Sequence, residues 1–362
     1  MKVTTVNGQS VDGNSISFKA LEKITVEGEV LDASGQLVTD FTGIVNPTVK
    51  DSKVTVTCLK NSNKDDSPAF TFTDYPNTIF IGNDSVRNGK FSFTFTVPKD
   101  ISYSNLQGKM NLYAVDTESG NEAQGNFDNF IVGGTSDTAE TDTIGPEIRA
   151  LYLNDTTFVD GGQVNTTPYF VAELWDKSGV NITGSSVGHD MMLVIDESTV
   201  LSYNLNSYYE LLLGEDGTGI VKFPIPALEP GKHTAEFWVW DILNNSTVRT
   251  FTFEVVEGLK PFLFDVIATP GIAREQVTFH LMHNRPESRM RVGIMVYDLA
   301  GRQLWKHEES GTSGLFENYT VSWDLTSGGA RMRPGVYIYR AAISTDNSKD
   351  ATKARKFIIL GE

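Results

Sequence analysis

The sequence is poor in the residues that chemistry and cross-linking need. There is one cysteine, Cys58, in 362 residues, so no intramolecular disulfide and no cysteine-based zinc site can form, and the domains must hold by packing alone. No run of eighteen apolar residues occurs anywhere, which excludes a transmembrane helix. The first twenty residues lack the apolar centre of a secretory signal. Nor does any ten-residue stretch carry the 3.6-residue periodicity of an amphipathic helix. Positive charge is scarce where it would matter for nucleic acid. The net charge is −16, and residues 1–257 carry 16 Lys and Arg against 35 Asp and Glu, while residues 258–362 carry 14 against 11. An acidic front with no basic stripe cannot neutralise phosphates, so nucleic acid is excluded as a partner.

What remains is alternation. In "GKFSFTFTVPKD", Phe91, Phe93, Phe95 and Val97 share one face and Ser92, Thr94 and Thr96 the other, the period of a half-buried strand. Turn signals such as "DASG" (32–35), "RNGK" (87–90) and "ESGN" (118–121) separate such runs. "VGGTSDTAETDTIGPEI" (132–148) has the small, polar, acidic composition of a linker. Beyond it, "PYFVAELWDKSGVN" and "HTAEFWVWDILNNS" are both strands ending in Trp-Asp before a polar turn. These patterns predict an all-β chain of three consecutive antiparallel β-sandwich, Ig-like domains. They are an N-terminal sandwich over 1–133, a linker over 134–144, an Ig-like sandwich over 145–257 and a small sandwich over 258–362.

Candidate chemistry is thin. Cys58 follows Val54 and Val56 at period 2, without a visible base, and reads as a buried small hydrophobe. His189 and Asp190 are adjacent in an apparent strand entry and would point to opposite faces, which favours a turn role. His280 and His283, three apart in a strand, also face opposite ways and make a poor metal pair. The acidic turns Asp176–Asn181 and Gly214–Gly219 have oxygen ligands of the kind calcium takes, but lack a full EF-hand pattern and read as solvated turns. Trp238 and Trp240, like Phe91, Phe93 and Phe95, are assigned to sandwich cores, with a glycan-binding platform as the other reading. Val336 and Ile338 occupy one face of the last long strand, and Tyr337 and Tyr339 the other, a face covered by a partner or shielding the sheet. No catalytic, cofactor or metal site is assigned.

Four short motifs recur in order over the last hundred residues: "DLAGRQLW" (298–305), "VSWDL" (321–325), "RPGVYIYR" (333–340) and "KARKFIIL" (353–360), after Thr269-Pro270. Together they resemble the C-terminal domain of proteins exported by the type IX secretion system of Bacteroidetes. Upstream, "FTVPKDISY" (95–103), "FIVGGT" (130–135), "GPEIRALYLND" (145–155), "DKSGVNITGSSVGHDMMLVID" (176–196) and "YNLNSYYE" (203–210) resemble the region that follows the peptidase domain in PorU-like sortases, gingipain-like cysteine peptidases of that system. The resemblance implies a non-catalytic accessory and secretion-targeting region. Its first two sandwiches would support an upstream peptidase domain of the same polypeptide, with the native N-terminal signal missing from this chain. The last sandwich would be read by the secretion apparatus or an outer-membrane β-barrel partner, and the location would be the cell surface of a Gram-negative bacterium. Recognition would involve Asp298, Gly301, Arg302, Pro334, Gly335, Val336, Tyr337, Lys353 and Lys356, at an exposed edge of the last sandwich. The rival class is a surface adhesin or glycan-binding module with the same export tail.

Overall fold

The structure, a computed structural model, describes residues 1–59, 68–137, 142–184, 188–212, 217–345 and 348–360. It is all-β and built of sandwiches; among the described residues the helical elements come down to a 3-10 turn at Asn206–Tyr208. The chain forms two compact units. One gathers residues 1–150, 172–221 and 235–250, the other 151–171, 222–234 and 251–362.

In the first unit, the alternation read in the sequence sets the register of a nine-stranded sheet. Strand Lys90–Thr96 pairs antiparallel with Lys23–Glu29, placing Phe93 opposite Val26 and Phe95 opposite Ile24. Phe91, Phe93 and Phe95 are all buried, and each contributes about 1.5–3 kcal/mol of apolar burial. Phe80 stacks on Phe95 with ring centroids 4.7 Å apart. Gly28 faces Phe91 in the ladder, and a Cβ there would lie 2.2 Å from the ring, so this glycine is dictated by close approach. The other half of the sheet is Gly43–Lys50, Lys109–Asp116 and Glu122–Phe127, paired in that order. A smaller sheet of Ile16–Ala20, Leu106–Gln107 and Phe130–Thr135 closes the core, with Phe18 stacked on Phe130 at 4.2 Å. Within the same unit Met192–Ile195 pairs with Ser202–Asn204 and with residues 235–238 of the strand Gly231–Trp240.

The second unit carries the tail. Leu263–Thr269, Val277–His283 and Tyr319–Trp323 form one sheet; Ile272–Ala273, Ala351–Ile359, Gly335–Ser344, Met290–Tyr297 and Gln303–Gly311, in that order, form the other. Phe279, Tyr339 and Phe357 meet between them. The strand Gly335–Ser344 is therefore central, hydrogen-bonded on both sides. The sheets are not wholly antiparallel as expected. In each sandwich a short early strand runs parallel to the closing one: Ile16–Ala20 with Phe130–Thr135, Gln163–Val164 with Ser246–Val255, and Ile272–Ala273 with Ala351–Ile359.

Candidate functional site

The predicted recognition residues are brought together by register. "DLAGR" is the turn after Met290–Tyr297. Asp298 Oδ1 accepts the backbone N–H of Ala300 and Arg302, its Oδ2 accepts Arg302 Nε at 3.1 Å, and Gly301 sits at φ +83°. The tight turn demands that conformation, which glycine adopts without strain. These bonds hold the Asp298 carboxyl below the usual range. Tyr297 is opposite Ile338, Gly335 opposite Ile359, Val336 opposite Ile358, and Ile272 also opposite Ile358. So the Asp298–Arg302 turn, the Arg331–Gly335 turn and the end of Ala351–Ile359 all lie at one end of one sheet. That end exposes Leu299, Ile272, Val336 and Leu360 among arginines, Arg302 with 78% of its side chain in solvent. Lys356, opposite Ile338, points outward nearby.

Two predicted residues have other roles. Tyr337 is buried, and its hydroxyl donates to the Arg333 carbonyl at 2.7 Å, clamping the turn before its own strand. Lys353 lies further along, opposite Ala341, with Nζ on the Phe264 carbonyl. The tyrosine face of this strand is covered by the protein's own core, since Tyr339 is also buried, whereas Val336 and Ile338 face outward. Of the motif strands, Gln303–Gly311 and Tyr319–Trp323 end their sheets, whereas the two C-terminal ones are covered at the motif. Gly335–Ser344 is central, and the last residues of Ala351–Ile359 are sealed by Ile272–Ala273.

Other sequence candidates separate. Cys58 is exposed, not buried. It follows Val54–Thr57, which pairs with Thr71–Asp74 in a two-stranded ribbon whose second strand is exposed throughout. Trp238 and Trp240 are not core either; Ala235, Phe237 and Val239 point inward, and the two tryptophans half-bury on the opposite face. His189 pairs with Asp100, not Asp190: Nδ1 lies 2.6 Å from Asp100 Oδ2, and the ring packs 4.5 Å from Trp240. Asp190 instead accepts Asn206 Nδ2 at 2.7 Å. His283 is held by Ser313 Oγ at 2.9 Å, and burial, with Arg285 beside it, pushes its pKa down to about 4. His280 lies on the other face of that strand. The Gly214–Gly219 turn lies partly, and the 134–144 linker partly, outside the described residues.

The two Trp-Asp turns meet. Carboxylate oxygens of Asp142, Asp176 and Asp241 all lie within 4.8 Å of one another. Each is also a turn cap. Asp176 Oδ1 accepts the N–H of Ser178 and Gly179, Asp241 Oδ1 those of Leu243 and Asn245, and Asp142 Oδ2 the Ser178 hydroxyl. Burial, reinforced by the neighbouring carboxylates, pushes Asp176 up to about 6 and Asp241 upward too. Three carboxylates could supply part of the six to eight oxygens that calcium takes. The repeated Trp-Asp was visible in the sequence; the approach of Asp142, 34 residues before Asp176, was not.

The fold is all-β and built of Ig-like sandwiches. No family model and no curated protein matches the chain. Among solved structures it is similar to dimeric latent PorU from Porphyromonas gingivalis, with 38% identity over 100% of this chain and 34% of that one, at TM-score 0.44. The chain thus spans about a third of that protein's length. It also aligns with the Bacteroides ovatus SGBP-B in complex with a mixed-linkage heptasaccharide (10% identity, 98% of this chain, 68% of that one, TM-score 0.27) and with the chicken CNTN1 FN1-FN3 domains (7%, 94%, 96%, 0.22). Those two likenesses carry no functional argument. No helix among the described residues is long and apolar enough to cross a membrane.

Proposed function

We propose that residues 258–362 are the type IX secretion recognition module of a PorU-like cell-surface sortase, and that the sandwiches 1–133 and 145–257 support its peptidase domain. The chain itself is then non-catalytic, and its partners are that peptidase domain and the secretion apparatus or an outer-membrane β-barrel. The observation that carries this reading is the convergence of sequence-remote motifs, Asp298–Arg302, Arg331–Val336 and the residues up to Leu360, on one sheet end where exposed apolar side chains sit among arginines. Turn glycines and self-capping aspartates explain the shape of that end. They do not explain Leu299 and Val336 in solvent, which a partner surface would cover.

The test is surface delivery of a reporter fused to this chain in a bacterium with the secretion system. Deleting Lys353–Leu360 would remove a strand carrying Phe357 and Ile359 from the core and unfold the module, so the informative variant changes only exposed side chains: Leu299→Ser, Arg302→Glu and Arg333→Glu together. The expected result is at least a tenfold loss of delivered reporter with an unchanged thermal midpoint. Normal delivery of the triple variant sinks the reading.

A further inference from the structure

The nine-stranded sheet of the first unit has an outer face in two differently furnished halves. On one half the cross-strand pairs are the usual ones of a solvated sheet: Thr25 and Thr94 hydroxyls 3.0 Å apart, Glu27 opposite Ser92, and Lys90 paired with Glu29. On the other half the strands Gly43–Lys50, Lys109–Asp116 and Glu122–Phe127 place Thr48, Asn111 and Asn126 in one row and Asn46, Tyr113 and Gln124 in the next. Behind them Val45, Val49, Met110, Leu112 and Ala114 fill the core, so the alternation fixes these polar side chains outward. They line a shallow groove of about 730 Å³.

This furnishing is not what strand stability selects. Asparagine is among the residues least suited to strands, yet Asn111 and Asn126 stand side by side here and Asn46 lies in the adjacent row. Among the described residues no protein group hydrogen-bonds the side-chain amides of Asn46, Asn111, Gln124 or Asn126. Each amide offers both donors and an acceptor, the combination that matches a sugar hydroxyl, itself donor and acceptor. Tyr113 stands between Asn46 and Gln124 in its row, and an aromatic ring suits the C–H face of a pyranose. At one end Lys109 lines the groove and stands directly opposite Lys50 in the ladder. Lys50 Nζ is turned to the Thr78 hydroxyl with Asp74 nearby, which leaves Lys109 as the cation this lining offers to an anionic group. The groove lacks the apolar floor a peptide would need and the row of cations a nucleic acid would need.

The geometry points to an oligosaccharide site on this sheet face, with Lys109 selecting chains that carry a carboxylate, such as uronic-acid oligosaccharides. This is independent of the secretion reading and lies on a different sandwich. It also differs from the platform expected at Trp238 and Trp240.

The experiment is a glycan array of neutral and uronic-acid oligosaccharides probed with the whole chain. The expected result is binding concentrated on uronate-containing glycans. It drops at least tenfold in Asn111→Ala/Tyr113→Ala, and Lys109→Gln abolishes the preference for acidic over neutral chains. All three positions face solvent at least in part, so the thermal midpoint should hold; if the double variant does not fold, Asn46→Ala and Gln124→Ala, both exposed, replace it. Absence of any signal from the wild-type chain overturns the site. So does a signal that survives every groove variant and is lost in Trp238→Ala.

Discussion

The Tyr339 hydroxyl donates to the backbone carbonyl of Val266 at 3.0 Å, joining the two sheets of the second unit through the middle of its core. The alternating strand that looked two-faced in the sequence thus has an inside carrying two hydroxyls, of Tyr337 and Tyr339, each satisfied by a backbone carbonyl.

Tyr339→Phe keeps the ring and strands a buried carbonyl, which costs about 1–2 kcal/mol. Denaturant unfolding of the whole chain should show the transition of the second unit shifted by that amount, while Val336→Ser, on the outer face of the same strand, leaves it unmoved. Equal effects at the two positions would contradict the assignment of faces.

Two buried groups give opposite pH slopes in the same window. Asp176 titrates at about 6 against an ordinary 3.8, so between about pH 4 and 6 the folded state keeps a proton the unfolded chain has released, and stability falls as pH rises. His283 titrates at about 4 against 6.5. Over roughly that window the unfolded chain takes up a proton the folded state refuses, so stability rises with pH. Asp176→Asn retains an oxygen for the Ser178 and Gly179 amides. It should raise the thermal midpoint at pH 7 by about 1–3 °C and steepen the gain in stability from pH 4 to 6.5. His283→Gln should flatten that gain between pH 4 and 6.5, and its loss of titration should leave the midpoint at pH 7 unmoved. A pH profile unchanged by either substitution would refute both assignments.

Phe93→Ala removes a ring that packs between Phe91 and Phe95 and should cost about 3–5 kcal/mol of first-unit stability, read from the same unfolding curves. Gly28→Ala should also destabilise that unit, because its methyl group and the Phe91 ring cannot both keep their places. A stable Gly28→Ala chain would mean the ladder register is different.

Cys58 should react with a maleimide within minutes in the absence of denaturant, one label per chain, since it is exposed beside a ribbon whose second strand is exposed too. Cys58→Ser should leave the thermal midpoint within about 1 °C. Labelling that needs denaturant would restore the buried reading.

The outcomes at Cys58 and Phe93 show where the sequence was informative. Period-2 alternation identified Phe91, Phe93 and Phe95 as core and sorted Tyr337 and Tyr339 from Val336 and Ile338, because a strand's pleat forces those choices. It failed at Cys58 and at Trp238 and Trp240. Alternation tells which residues share a face; which face is covered depends on whether a second sheet exists there, and that is a tertiary fact. The carboxylates of Asp142, Asp176 and Asp241, and the Asp100 partner of His189, were beyond reach for the same reason, being contacts between segments tens of residues apart. The recognition motifs fall between these cases: each was visible, but their meeting at one sheet end, and the central place of Gly335–Ser344, follow from strand order, which no local pattern encodes.

The parallel pairing of an early strand with the closing strand in each sandwich has a mechanical consequence. Tension applied through the two ends of such a sandwich draws the early strand toward its start and the closing strand toward its finish. Because the two run the same way, they are dragged past each other along their length. Their hydrogen bonds are then loaded together in shear, whereas an antiparallel pair pulled this way would peel open one bond at a time. Each sandwich is closed by a clamp that resists stretching along the chain.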